Sequence, residues 1–272
     1  MRGRSVLITG AGRGIGKRLA LGFAAEGAKV GLLARSQAEI ELARLEIEQA
    51  DGGVALCLRA DVRDADALAK AADRMREEFG GVDVLIAAAA VQGPIGPFLS
   101  NPPKAWNEAV EINLIGAANA CRVVLPLMIE KRSGKILLLS GGGSAYARPN
   151  FTAYGTSKTA VVRFGETLAE EVRDHNVQVN IIAPGAAYSH MTDEILNAGD
   201  GLAGRKEIED AEKVRVTGGV PAERQIALAL FLASERSNHI SGKLIHVNDD
   251  WKKFEQENMK PELFTLRRVQ KI

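Results

Sequence analysis

The sequence predicts an α/β fold, a doubly wound parallel sheet flanked by helices. Three observations predict it. Short apolar runs alternate with stretches of helical periodicity, the order expected of repeated βαβ units. Several of those runs are apolar throughout rather than at every second residue, which suits strands buried on both faces. The 272 residues are 46% hydrophobic and 25% charged, an ordinary globular mix with enough apolar material for a large core.

Residues 5–8 form a first apolar strand that runs into glycines. Residues 15–25 read as a helix closed by Gly27, and 29–34 as the second strand. Ser36 and Glu39 have the spacing of a capping box, and Ile40, Ala43, Ile47 and Ala50 then recur at helical intervals. Residues 54–58 are a third strand. Asp64 is placed to cap a helix whose inner face is Leu68, Ala71, Ala72, Met75 and Phe79. The run 82–90 reads as a fourth strand, 106–129 as a long helix with Pro126 near its end, and 135–140 as a fifth strand. A second long helix spans 153–174 and a sixth strand 177–183. Residues 184–220 lack clear periodicity, and the stretch 196–204 reads as part of a mobile lid. Residues 222–234 are helical and 244–247 form a last strand. No linker or repeat interrupts this order, so a single domain covers 1–248. Residues 249–272 form a C-terminal extension with Trp251, Phe254, Leu263, Phe264 and Leu266 as candidate anchors. That extension either wraps its own domain or covers a site on itself or a neighbour.

Charge and cysteine content exclude several classes. Lys and Arg number 35 against 34 Asp and Glu, a net charge of +1, so no footprint for nucleic acid or an anionic membrane is present. Aromatics are only 5%, which argues against base stacking. Cys57 and Cys121 read as buried free thiols, and His175, His190, His239 and His246 are scattered without metal-ligand spacing, so no metal is expected. No signal-like segment or apolar run of about 20 residues is evident, so a cytoplasmic protein without a membrane span is expected.

Two patterns carry chemistry. The first strand leads into Gly10, Gly12, Arg13, Gly14, Ile15 and Gly16, directly before a helix. Glycines there allow a tight turn and let a phosphate approach backbone N–H groups at the positive end of the helix. The strand–loop–helix context makes this a dinucleotide site. An acid at the end of the second strand would hold the adenine ribose, but Leu33, Ala34, Arg35 and Ser36 provide none. Arg13 and Arg35 suit a 2′-phosphate instead, so NADP(H) is preferred over NAD(H). The second pattern is Tyr154 and Lys158, one turn apart on a helix, where the ammonium would lower the phenol pKa for proton transfer.

The loop from Thr9 to Gly16, Asp61 with Val62, Asn113, Tyr154 with Lys158, and Pro184 with Gly185 together resemble the short-chain dehydrogenase/reductase family, from about Ser5 to Val247. The resemblance implies a Rossmann-like oxidoreductase domain with its substrate loop at about 184–220. It implies Tyr154 as acid/base, Lys158 on the nicotinamide ribose, Asn113 behind a proton-relay water, and Asp61 and Val62 at the adenine. Ser189 takes the place of the family's threonine after Pro-Gly, at the nicotinamide amide. Two departures stand out. The family's Asn-Asn-Ala-Gly is Ala87, Ala88, Ala89 and Ala90 here, which removes amides that tie that strand and adds a Cβ beside the cofactor. The serine expected 13 residues before the tyrosine is Gly141, so Ser140 or Ser144 would take its place.

The expected function is hydride transfer between NADP(H) and a carbonyl or secondary alcohol, on a small polar ketone, polyol or sugar-like substrate. Gln92, Tyr146, Arg148, Asn150, Tyr188, His190 and Met191 lie on loops expected to border that substrate. The alternative is a dinucleotide-binding regulatory or catalytically impaired member of the same fold. The resemblance also implies a homodimer or homotetramer built on the two long helices.

Overall fold

The computed structural model describes residues 1–51, 53–256, 259–260 and 262–267. Seven parallel strands form one sheet in the order β3-β2-β1-β4-β5-β6-β7. They are β1 (Ser5–Thr9), β2 (Lys29–Ala34), β3 (Val54–Arg59), β4 (Val84–Ala87), β5 (Gly134–Leu139), β6 (Val177–Ala183) and β7 (Leu244–His246). The order reverses between β1 and β4, and the crevice beyond their carboxyl ends is where such sheets bind ligands.

Period-two alternation sorts the strand side chains into two cores. Val6, Ile8, Val84, Ile86, Leu137 and Leu139 face one side, under helices α1 (Gly14–Ala25), α2 (Gln37–Asp51) and, later in the chain, Ala222–Ala233. Leu7, Leu85, Ile136, Leu138, Val179 and Ile181 face the other, under α3 (Ala65–Phe79), α5 (Gly116–Lys131) and α6 (Thr152–Glu171). Asp64 caps α3 as its position predicts, accepting from the Ala67 N–H at 2.9 Å. On α2, Ile40, Ala43 and Ile47 are buried, but Ala50 in the last turn is exposed.

Three differences from the sequence reading have physical causes. The apolar run 82–90 pairs as a strand only over Val84–Ala87, because the backbone then leaves β1 and lines the crevice. The long helix runs Pro103–Lys131, through α4 (Pro103–Val110), a π-helical turn at Glu111–Ile115, and α5. By length and composition this helix suffices to cross a membrane, contrary to the reading of short runs. Its Ile112, Ala117, Ala120, Cys121, Val124 and Met128 are buried in the core, so it packs as a core helix. Finally, the excursion 184–220 is largely helical: α7 (His190–Ala203), kinked at Gly199, and α8 (Arg205–Thr217), closed at its base by an antiparallel bridge between Ala187 and Gly219. Phe151, Ile195, Ala203 and Ala211 form a small core under this hairpin. The helix α9 (Ala222–Ala233) then returns the chain to β7.

The C-terminal extension wraps its own domain. Trp251 stacks on Phe231 of α9 with centroids 5.4 Å apart, and Phe254 meets Phe264 edge-on at 4.9 Å. The Leu244 N–H of β7 donates to the Phe264 carbonyl at 2.7 Å, and the Leu266 N–H to Glu166 Oε1 of α6 at 2.6 Å. Leu263 remains about half exposed. Of the two thiols, Cys121 is buried and Cys57 only partly so, and burial pushes their pKa values up to about 12 and about 11.

Candidate active site

The glycine turn is fixed by close approaches that no side chain tolerates. Gly10, at φ +67°, would place a Cβ 2.7 Å from the Ala89 Cα, and a Cβ on Gly16 would strike the Gly10 carbonyl. The turn thus brings the start of α1 against the Ala88–Ala90 segment and leaves α1 without a side-chain cap. A cavity of about 1400 Å³ opens there and runs along the carboxyl ends of the strands. It is lined by Gly10, Gly12, Arg13, Gly14, Ile15 and Gly16, by Arg35, Ser36, Asp61 and Val62, and by Ala88, Ala89 and Ala90. Ser140, Tyr154, Lys158, Pro184, Gly185 and Ser189 complete the wall.

Two side chains tie the segment that follows β4. Thr9 Oγ1 accepts from the Ala89 N–H at 3.1 Å. Asn113 grips Val91 from both sides, accepting its N–H at 2.9 Å and donating to its carbonyl at 3.0 Å, and also donates to Ser157 Oγ at 3.0 Å. Asn113 sits in the π-helical turn and does not line the cavity. Both N–H donors of its side-chain amide are engaged, so the side chain braces the crevice wall.

The Tyr154 hydroxyl packs against Gly141, where a Cβ on that residue would collide with it. A serine at 141 would require the Tyr154 ring to shift. Ser140 and Ser144 are both buried and joined by a 2.7 Å hydrogen bond, so the two candidates form a pair at the cavity wall. Lys158 Nζ donates to the Leu139 carbonyl at 2.9 Å and lies 5.8 Å from the Tyr154 ring centroid. Burial lowers the Lys158 pKa to about 8. Burial also raises the Tyr154 pKa above its ordinary value, opposed by the Arg148 guanidinium. Burial is the larger influence on the phenol, and Arg148 is the cation that opposes it.

Several sequence-predicted neighbours lie elsewhere. Gln92 is buried behind the wall, with no partner for Nε2 among the described residues. Tyr188 points its hydroxyl at Asp193, 3.0 Å away, and Asn150 takes a left-handed turn conformation; none of these three lines the cavity. Tyr146, Arg148, His190 and Met191 do line it. Sequence reasoning missed Glu39 and Glu207. Glu39 reads as a capping residue, and the Ser36 hydroxyl does accept its N–H at 3.3 Å, but its carboxylate lines the cleft 3.6 Å from Arg13 Nη1. Asp61 is bound by Arg63, with Nη2 to Oδ2 at 2.7 Å, which holds its carboxyl below the usual range.

The short chain dehydrogenase family model matches residues 4–199. This chain belongs to the short-chain dehydrogenase/reductase family. It is 30% identical over 251 residues to the 3-oxoacyl-[acyl-carrier-protein] reductase of Staphylococcus aureus, covering 90% of this chain and 96% of that one. Among solved structures, levodione reductase superposes with a TM-score of 0.83 at 27% identity, covering 93% of this chain and 99% of that one. A gluconate 5-dehydrogenase from Burkholderia cenocepacia, in complex with NADP and tartrate, superposes with a TM-score of 0.80 at 25% identity, covering 90% and 94%. This short-chain dehydrogenase is thus an oxidoreductase acting on CH–OH or C=O groups with a nicotinamide dinucleotide. The glycine turn, which leaves no room for a Cβ beside Ala89, fits the pyrophosphate of that dinucleotide.

Proposed function

We propose that the chain is an NADP(H)-preferring carbonyl reductase or alcohol dehydrogenase acting on a small polar ketone, polyol or sugar-like substrate. The observation that carries this reading is the Tyr154 hydroxyl set against Gly141 on the cavity wall, with Lys158 one helical turn away. The cofactor, when bound, supplies or accepts the hydride. Tyr154 gives its proton to the carbonyl oxygen or takes it from the alcohol. Lys158 holds the nicotinamide ribose, and the Ser140–Ser144 pair orients the substrate oxygen. Ser189 faces the nicotinamide amide, and Asp61 and Val62 the adenine. The phosphorylated cofactor is favoured by Ala34 in place of an acid and by exposed Arg35 on the cleft wall, which has no ion-pair partner among the described residues. Thr9 and Asn113 hold the segment after β4 in place, which weighs against the binding-only alternative.

The test is thermal unfolding with each of the four nicotinamide dinucleotides, followed by a turnover screen over polar ketones and polyols. A rise in Tm with the phosphorylated pair alone, and turnover lowered by about 10²–10⁴-fold in Tyr154→Phe, is expected. A rise with NAD(H) alone would overturn the cofactor preference, and full turnover by Tyr154→Phe would overturn the mechanism.

A further inference from the structure

The catalytic wall and the α7–α8 hairpin meet at one ion pair inside the cleft. Arg148 donates from Nε and Nη2 to Glu207 Oε1 and Oε2, at 3.0 and 2.7 Å. The two side chains are only 11% and 23% exposed. The guanidinium lies 3.8 Å from the Phe151 ring centroid and 5.9 Å from that of Tyr154. Glu207 engages one edge of the fork. Nη1 lies on another side, 3.7 Å from where a Cβ on Gly142 would stand, and Tyr146 Oη is 3.3 Å from the same point. Gly141, the next residue back, is the one against which the Tyr154 hydroxyl packs. Tyr146 and Arg148 therefore flank Gly142, the residue next to the one that the Tyr154 hydroxyl packs against, and all three side chains line the same cavity.

We propose that Arg148 Nη1, with Tyr146 Oη, is the subsite for a carboxylate on the substrate, so that the substrates are oxo acids and the corresponding hydroxy acids. This rests on the reading of the site as a carbonyl reductase and names its substrate class. A charge-assisted bond to a carboxylate is about twice as strong as one to a neutral oxygen, and a partly enclosed guanidinium favours it further. Glu194 and Asp210, like His190, Lys206 and Lys213, border the cleft from α7 and α8, whereas Arg148 sits on the catalytic wall beside Tyr154. In the reductive direction the carbonyl carbon gains the hydride of the reduced nicotinamide. Its oxygen gains the Tyr154 proton, which solvent replaces, and C=O becomes CH–OH. The carboxylate at Arg148 is unchanged.

The test compares NADPH oxidation with 2-, 3- and 4-oxo carboxylic acids against their methyl esters, in the wild type, Arg148→Gln and Glu207→Gln. In the wild type, kcat/KM for at least one acid should exceed that of its ester by tenfold or more. Arg148→Gln should bring the ratio to about 1. Glu207→Gln should lower KM for acids, because the Glu207 charge no longer offsets that of Arg148. A clamp of purely structural value would instead raise KM for acids and esters alike in both variants. An acid-to-ester ratio near 1 in the wild type, or one that survives Arg148→Gln, would overturn the proposal. A second readout is independent of turnover: butanoate, but not butanamide, should raise the Tm of the NADP⁺-loaded protein, and Arg148→Gln should abolish the rise. No turnover of any carbonyl, with this rise intact, would overturn the reductase reading and keep the carboxylate subsite. No rise would overturn the subsite.

Discussion

The Tyr154 hydroxyl occupies the space that a side chain on Gly141 would need. With glycine at the family's serine position the phenol packs directly on the backbone there, while the Ser140–Ser144 pair stands at the cavity wall. Gly141→Ser should therefore harm the enzyme although it restores the family residue. The ring Cε1 and Cζ also lie within 2.9 Å of that Cβ, so the whole ring must shift. A displacement of about 1 Å at a reacting group lowers rate by about 10²-fold. The expected outcome is a kcat loss of that order with the cofactor-induced rise in Tm retained.

Tyr154→Phe removes the proton donor without altering the glycine turn. Turnover should fall by about 10²–10⁴-fold, the usual contribution of general acid–base catalysis. The rise in Tm with NADP⁺ should persist, and its loss would mean that the tyrosine holds cofactor rather than substrate.

Arg35 and Glu39 should act in opposite directions on cofactor choice. Arg35→Ala should weaken NADPH binding by about tenfold or more, as expected when a charge-assisted hydrogen bond of about 1.5–3 kcal/mol is lost, and leave NADH nearly unaffected. Glu39→Gln removes a carboxylate from the cleft and releases Arg13, so it should tighten NADPH binding. Calorimetric titration of both variants with both cofactors reads this directly.

Lys135 predicts a pH dependence of stability. It is 3% exposed at the start of β5, its Nζ donates to Ser237 Oγ at 3.3 Å, and burial lowers its pKa to about 7. A lysine lowered in the fold binds more protons when unfolded, so stability rises with pH between about 7 and its ordinary 10.5. Below pH 7 the buried ammonium destabilises the fold in full. Lys135→Met should raise Tm clearly at pH 6 and much less at pH 9, and a gain that does not shrink with pH would refute the assignment.

The sheet and the glycine turn were legible in the sequence because each leaves a local mark. Continuous apolar runs announce buried parallel strands, and Gly10, Gly14 and Gly16 announce the turn. Every proposed cofactor residue lines the cleft. The rest depends on tertiary position. Helix α8 buries only Ala211, so it shows no apolar stripe for periodicity to detect. The π-helical turn around Asn113 has no sequence marker distinct from ordinary helix. Glu39 satisfies a capping pattern and reaches the cleft only because α2 passes Gly12. Arg148 and Glu207 are 59 residues apart, and only the packing of α8 on the catalytic wall brings them together.

Phe254 and Phe264 carry the extension onto the domain. Phe254→Ala should destabilise by about 3 kcal/mol, as large-to-small changes of buried aromatics do. At about 2–4 °C per kcal/mol for a chain of this size, differential scanning calorimetry resolves that easily.

The strap around Phe264 also governs the order of events during folding. It lies downstream of every strand in the sheet, yet it is what the Leu244 N–H pairs with at the outer margin of β7. A chain that has formed its sheet but has not yet docked Phe264 leaves that margin open to any neighbouring chain. Such a margin mispairs most readily where many freshly folded copies crowd together. The interval ends when Phe264 docks, so refolding at high protein concentration should lose more soluble yield in Phe264→Ala than in the wild type.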